Sequence, residues 1–177
     1  MSGVCRFDHE TEIFRLLQAK DESGNVKPLY ILTLNETHDG KLIAGTYYGE
    51  VYLIDRHTGN FERILYPGWS SIINSISKIF SVAESEPGIL WVGTDNGLYR
   101  LDYGKRTIQR FLKEDGLSNN HIYGILVDKT GRIWCSTNYG LSVYYPESGQ
   151  FQNYSREDGL QSNEFNQGAF YADADGI

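Results

Sequence analysis

Several things that catalysis, metal binding and nucleic-acid binding need are scarce in this chain. Its 177 residues include only 2 cysteines and 4 histidines, and 16 Lys and Arg stand against 23 Asp and Glu. Cys5 and Cys135 lie far apart, each in an apolar, strand-like run, so no disulfide framework is expected. His9, His38, His57 and His121 are dispersed singly, with no ligand spacing and no cysteine pair to join them, so no metal site and no cofactor are expected. A formal charge of −7 argues against a nucleic-acid partner, because phosphate binding depends on clustered Lys and Arg. No stretch approaches the roughly 20 consecutive apolar residues that span a bilayer, and the opening residues Met1 to Arg6 lack a signal-peptide layout.

What the chain does have is repetition. With 40% hydrophobic and 14% aromatic residues it can build a packed core. Gly93 Thr94 Asp95 Asn96 Gly97 Leu98 returns as Gly45 Thr46 Tyr47 Tyr48 Gly49 Glu50 and as Ser136 Thr137 Asn138 Tyr139 Gly140 Leu141. Asp8, Asp55, Asp102 and Tyr145 follow at steps of 47, 47 and 43 residues, with Phe14, Phe61, Ile108 and Phe151 six residues beyond each. A period in the forties filled with short β-type segments is the signature of a propeller blade.

One unit shows how a blade is made. Ile122 to Val127 reads as a short buried inner strand, Asp128 to Gly131 as a hairpin turn, and Arg132 to Thr137 as the return strand. Leu141 to Tyr145 and Phe151 to Tyr154 supply the third and outer strands. The chain then divides into the last two strands of a preceding blade (1–20), three whole blades (21–66, 67–112 and 113–155), and a linker with the inner strand of a further blade, near Ala169 to Ala172 (156–177). The expected class is all-β: a propeller fragment of about three complete four-stranded antiparallel blades and two partial ones. Because blades are stabilised by neighbours and both ends fall inside blades, the array is expected to belong to a longer one, with pairing of the terminal pieces into a fourth blade, or of two chains as a homodimer, the other ways to cover its open faces.

The blade pattern, a turn Gly, then an apolar residue, Trp, a small residue, Gly Thr, two polar or aromatic residues, Gly Leu and Asp, resembles the two-component regulator propeller repeat of hybrid two-component histidine kinases. Its most specific stretch is Glu157 to Asn166, with an earlier copy at Glu114 to Asn120. The first whole blade departs from the pattern, with Ile43 in place of Trp, Glu50 in place of Leu and an extra residue before Asp55. The resemblance implies a periplasmic or extracellular sensor region of an inner-membrane protein. It also implies an oligosaccharide ligand and, as partners, further blades and signalling domains of the parent.

Loops at one end of a propeller surround the central funnel and usually carry the binding site. That end holds Tyr47, Tyr48, Trp69, Asp95, Asn96, Asn119, Asn120, Asn138, Tyr139, Asn163 and Asn166. Aromatics beside amides suit a sugar, whose apolar face stacks while its hydroxyls hydrogen-bond. Asn and Asp next to Gly equally serve tight turns, so the nonrepeating Tyr47, Tyr48 and Trp69 carry more of the functional weight. Trp91 and Trp134 are read as packing between blades. No catalytic residue is assigned: the carboxylates fall mainly in turns such as Asp39, Asp128 and Glu147, and neither the sialidase Asp turn motif nor a Gly-x-Ser-x-Gly elbow occurs. A carbohydrate-active lyase or glycosidase and a noncatalytic protein-interaction scaffold are the alternatives.

Overall fold

The structure, a computed structural model, describes residues 3–64 and 78–171. β1 (Val4–Asp8) and β2 (Ile13–Leu17) form a hairpin, and β3 (Ala19–Lys20) and β4 (Val26–Lys27) a shorter one. The first four-stranded sheet follows: β5 (Ile31–Glu36), β6 (Leu42–Thr46), β7 (Val51–Ile54) and β8 (Phe61–Arg63). The second holds β9 (Ile79–Glu86), β10 (Ile89–Thr94), β11 (Gly97–Asp102) and β12 (Thr107–Phe111). β13 (Ile122–Val127), β14 (Ile133–Thr137), β15 (Leu141–Tyr145) and β16 (Gln150–Tyr154) make the third. Every sheet is antiparallel in chain order, which is the blade architecture expected from the repeat. The β3–β4 hairpin is an addition to it, built on Asp21, whose carboxylate accepts hydrogen bonds from the backbone of Ser23 and Asn25.

Strand alternation explains why the blades read as nearly continuous apolar runs. In β10, Leu90 and Val92 join a core with Ile43, Val51 and Leu53 of the first sheet, while Trp91 joins one with Ile122, Ile125 and Ile133 of the third. Both faces of the middle sheet are therefore buried, and successive side chains serve opposite junctions. β9 packs against β5 on one side and β13 on the other. Beyond the third sheet, Gln167 Nε2 donates to the Leu32 carbonyl at 3.4 Å, so the chain returns to the first inner strand. Radial placement of the sheets about a common axis brings those two segments together.

One expectation changes, and one falls partly outside the described residues. Gly45 pairs with Val51 just as Gly93 pairs with Leu98, so Val51, fully buried, holds the leucine position and Glu50 is the extra residue. Glu50 is kept because it accepts from Lys27 Nζ at 2.6 Å and Arg63 at 3.0 Å, tying the β3–β4 hairpin to the first blade. After the third blade, the described residues hold a turn in which Ala169 N donates to the Asn166 carbonyl and Gly168 takes φ 76°, and this stops the extended chain. The inner strand expected near Ala169 to Ala172 runs out of the described residues.

The recurring Asp closes the turn between the third and fourth strands, at the end of the sheets away from the glycine turns. Asp55 Oδ1 accepts from the backbone of His57 and Thr58 at 2.9 and 2.7 Å, Asp102 from Lys105 at 2.9 Å, and Asp8 from Glu10 and Thr11. A different carboxylate, Asp128, braces the third blade: it accepts from Trp134 Nε1 at 2.8 Å, Arg132 Nε at 2.6 Å and Thr130 Oγ1 at 2.7 Å. Burial by itself would raise its pKa, and the hydrogen bonds from Trp134, Thr130 and Arg132 outweigh burial and hold the carboxyl well below the usual carboxylate range. A depressed folded-state pKa gives stability that is present above the unfolded value, about 3.9, and is lost as pH falls through the folded one. The protein should therefore lose stability progressively below about pH 4, and Asp128→Asn should flatten part of that loss in acid titrations followed by urea unfolding. Equal acid slopes in the two proteins would show that Asp128 contributes nothing to it.

Candidate functional site

The starts of the inner strands and the turns between second and third strands share one end of every blade. In each blade the residue before the inner strand and the first turn residue are 17 apart: Tyr30 and Tyr47, Lys78 and Asp95, His121 and Asn138. They are neighbours because the strands pair there, Ile31 with Thr46, Ile79 with Thr94 and Ile122 with Thr137. Tyr47 N donates to the Tyr30 carbonyl at 2.7 Å, and Asp95 N to that of Lys78 at 3.4 Å. All three inner strands shift register one step later, leaving Leu32, Phe80 and Tyr123 without a ladder partner. Such a bulge re-aims the side chain it expels, and the same one recurs at the start of each inner strand.

The first blade presents an exposed aromatic cluster. Tyr30, Tyr47 and Tyr48 are 52%, 43% and 59% exposed. Tyr48 meets Tyr47 and Tyr30 edge to face, at centroid distances of 5.3 and 5.6 Å. Lys78 Nζ lies 4.9 Å from the centroid of Tyr47, which joins this cluster to the second blade. Beside it, Phe80, His121 and Tyr123 form a second aromatic group, with His121 4.9 Å from Phe80 and 4.5 Å from Tyr123. Burial pushes the His121 pKa below its ordinary value, Asp95 opposing and Lys78 adding to the shift. Its Nε2 is buried without a hydrogen-bond partner.

The predicted site residues separate into two kinds. Tyr47 and Tyr48 come together, with Tyr30 as a third member. Asn120 and Asn163 do the same structural job one repeat apart. The Asn120 carbonyl accepts from Gly97 N at 2.6 Å and its Oδ1 from Lys113 N at 2.7 Å, while Asn163 accepts from Gly140 N at 2.5 Å and Arg156 N at 2.6 Å. Asn119 Oδ1 takes the His121 N–H, and the Asn96 carbonyl is bound by the Arg110 guanidinium at 2.8 Å. Asn138 and Tyr139 are exposed on the third blade, apart from the tyrosine cluster, and Asn166 opens the Gly168 turn. Trp69 lies outside the described residues. Reading the sequence for turn motifs alone missed Tyr30, Lys78, Phe80, His121 and Tyr123. The constant spacing of 17 residues is the signal that finds the first, second and fourth of them.

A cleft of about 430 Å³ lies elsewhere, on the far face of the third blade, between Leu126, Trp134 and Leu141 on one side and Phe165 and Phe170 on the other. Its lining is apolar, and it takes the place that the next sheet occupies against the first and second blades. No helix among the described residues is long and apolar enough to cross a membrane.

Comparison with known proteins bears on the same repeat. Residues 116–139, which run from the linker through β13 and β14 into the following turn, match the family described as two component regulator propeller. One repeat of the chain, and not the whole of it, is what that family describes. Among solved structures, the chain is similar to the extracellular domain of the hybrid two component system BT3049 from B. thetaiotaomicron. The two are 25% identical with a TM-score of 0.68, covering 83% of this chain and 20% of that one. It also resembles the extracellular domain of the one component system BT4673 from the same organism, at 21% identity and TM-score 0.70, over 98% of this chain and 23% of that one. The chain thus spans about a fifth of the length of these extracellular domains. Likeness to virginiamycin B lyase from Staphylococcus aureus, at 16% identity and TM-score 0.54 over 77% of this chain and 47% of the lyase, is one of fold. No curated protein matches the chain.

Proposed function

We propose that this chain is part of a periplasmic or extracellular sensor that binds an oligosaccharide and relays binding to a histidine kinase carried elsewhere in the same protein. The observation that supports this reading is the exposed cluster of Tyr30, Tyr47 and Tyr48 where the first inner strand begins. These rings are not required by the repeat, since the equivalent positions in the second blade are Lys78, Asp95 and Asn96. A sugar ring presents an apolar face to aromatics and a rim of hydroxyls to neighbouring amides and charged groups, and this end of the fold offers both. The similarity to an extracellular domain of a hybrid two component system supports the sensor role. The apolar cleft behind Trp134 is suited to receive a further blade of the parent, which would make the sensing surface continuous around the ring.

The test uses a panel of plant, fungal and host oligosaccharides, recording the melting temperature of the chain and the release of reducing ends. A raised midpoint without product supports the sensor, because a ligand that binds only the native state stabilises it. Tyr47→Ala with Tyr48→Ala should weaken that binding about tenfold or more, as expected from losing two aromatic contacts. Release of sugar product, or unchanged binding in the double variant, would refute the reading of this site.

A further inference from the structure

We infer that Lys78 makes this site selective for acidic oligosaccharides, with a uronate carboxylate on the Lys78 ammonium while its ring or a neighbouring one stacks on Tyr48; the inference rests on the glycan reading of the same face. Three observations carry it. First, Lys78 is half-buried and enters no ion pair among the described residues, whereas Lys27, Lys41 and Lys105 each sit on a carboxylate, at 2.6, 2.8 and 3.3 Å. A partly buried ammonium without an anion is unusual in a chain with 23 acidic and 16 basic residues, where partners are plentiful. Second, its position is fixed. Lys78 N donates to Asp95 Oδ1 at 3.3 Å, the backbone is pinned at the start of β9, and Nζ lies against the Tyr47 ring at 4.9 Å. Tyr47 in turn meets Tyr48, the most exposed ring of the cluster, so one ring separates the charge from it.

Third, a polar atom on a residue that feels the Lys78 charge is left over. His121 Nε2 is buried with no hydrogen-bond partner, in a bracket of Phe80 and Tyr123. Buried polar groups are almost always satisfied, and a group that is not marks a place where something else completes the arrangement. A sugar with hydroxyls and a carboxylate offers the acceptor that Lys78 lacks and a hydroxyl within the same group of side chains. A neutral sugar would use the tyrosines and offer the ammonium hydroxyls only, a weaker partner than a carboxylate.

Calorimetric titration of the full chain with tri-galacturonic acid and a glucuronate oligomer, each beside its carboxyl-reduced neutral counterpart, separates the cases. The acids should bind about tenfold more tightly than their reduced forms in about 50 mM salt, with the difference shrinking in about 0.5 M salt. Lys78→Gln should reduce the preference of acid over neutral form below about twofold, and Lys78→Arg should retain it. Equal binding of acid and neutral forms, or a preference that survives in a natively folded Lys78→Gln protein, would overturn the inference and leave the glycan reading standing. Failure to bind any of the four sugars would overturn the inference and leave the glycan reading to the broader panel. Far-UV and near-UV circular dichroism of each variant identifies loss through misfolding, and the salt dependence of the unsubstituted chain decides the matter if Lys78→Gln does not fold.

Discussion

Trp91→Ala should cost about 3–5 kcal/mol of folding stability, and Trp134→Ala, at the same position of the next repeat, clearly less. The indole of Trp91 is 1% exposed and packs among Phe111, Tyr144, Leu98, Ile122 and Ile133, with ring centroids 5.8 Å from Phe111 and 5.3 Å from Tyr144. Its Nε1 donates to Ser85 Oγ at 3.1 Å. Truncation leaves a cavity walled by two rigid sheets that cannot collapse into it, and orphans the Ser85 hydroxyl. Trp134 has its own bond to Asp128 and a parallel contact with Tyr154 at 6.1 Å, but it borders the open cleft behind the third blade, so water fills the space that its removal leaves. Urea unfolding followed by circular dichroism compares the two directly. Equal losses would mean that burial at these positions does not depend on a following sheet, and the account of both junctions would fall with it.

The repeat made most of this fold legible in the sequence, and the reason is physical. Each blade needs the same turn chemistry at the same places, so Asp55, Asp102, Gly97 and Gly140 return at a fixed interval. Features specific to one blade have no such echo. The β3–β4 hairpin uses two-residue strands, too short to show alternation, and depends on Lys27 reaching Glu50 from another segment. Glu50 itself was misread as a leucine substitute because Gly49 Glu50 lines up by eye with Gly97 Leu98. The pairing of Gly45 with Val51 shows that the turn is one residue longer. The tip of a turn tolerates an added residue, whereas a shift inside β7 would turn Val51 and Leu53 away from their core.

The candidate site was half legible for a related reason. Tyr47 and Tyr48 stand out as departures from the repeat, which is how a residue kept for something other than architecture betrays itself. Asn120 and Asn163 show the converse, since an identical pair of backbone bonds in successive blades accounts for both. Tyr30, Lys78 and His121 sit in linkers of differing length and sequence, and only strand pairing reveals that they occupy one position in three blades. The ring of positions where the inner strands begin is therefore not a repeat in its chemistry: tyrosines, then Lys78 and Asp95, then His121 and Asn138. Residues at these positions can vary without disturbing the cores, because the turns and the buried strands are what the packing uses.

Gly140→Ala should be the most damaging single-methyl change on that ring, costing about 2–5 kcal/mol, while Gly131→Ala should cost about 1–2 kcal/mol. Both glycines have φ 79°, so the left-handed strain of adding a side chain is common to the two. Their surroundings differ. A Cβ at Gly131 meets open space, whereas one at Gly140 would overlap the Tyr154 carbonyl and press on the Ser155 backbone. These contacts are main chain and cannot rotate away. Gly140 comes this close because its N–H donates to the Asn163 carbonyl and its own carbonyl accepts from both Thr137 N and Thr137 Oγ1 at 3.0 Å, which clamps the outgoing linker to the turn. Moving the linker to admit a methyl group breaks the first of those bonds and shifts Asn138 and Tyr139, the exposed residues of the same turn. Urea midpoints for the two variants isolate the steric part, since the conformational part cancels in their difference. If the two alanines cost the same, the linker yields freely, and the clamp cannot be what holds the exposed end of the third blade in place.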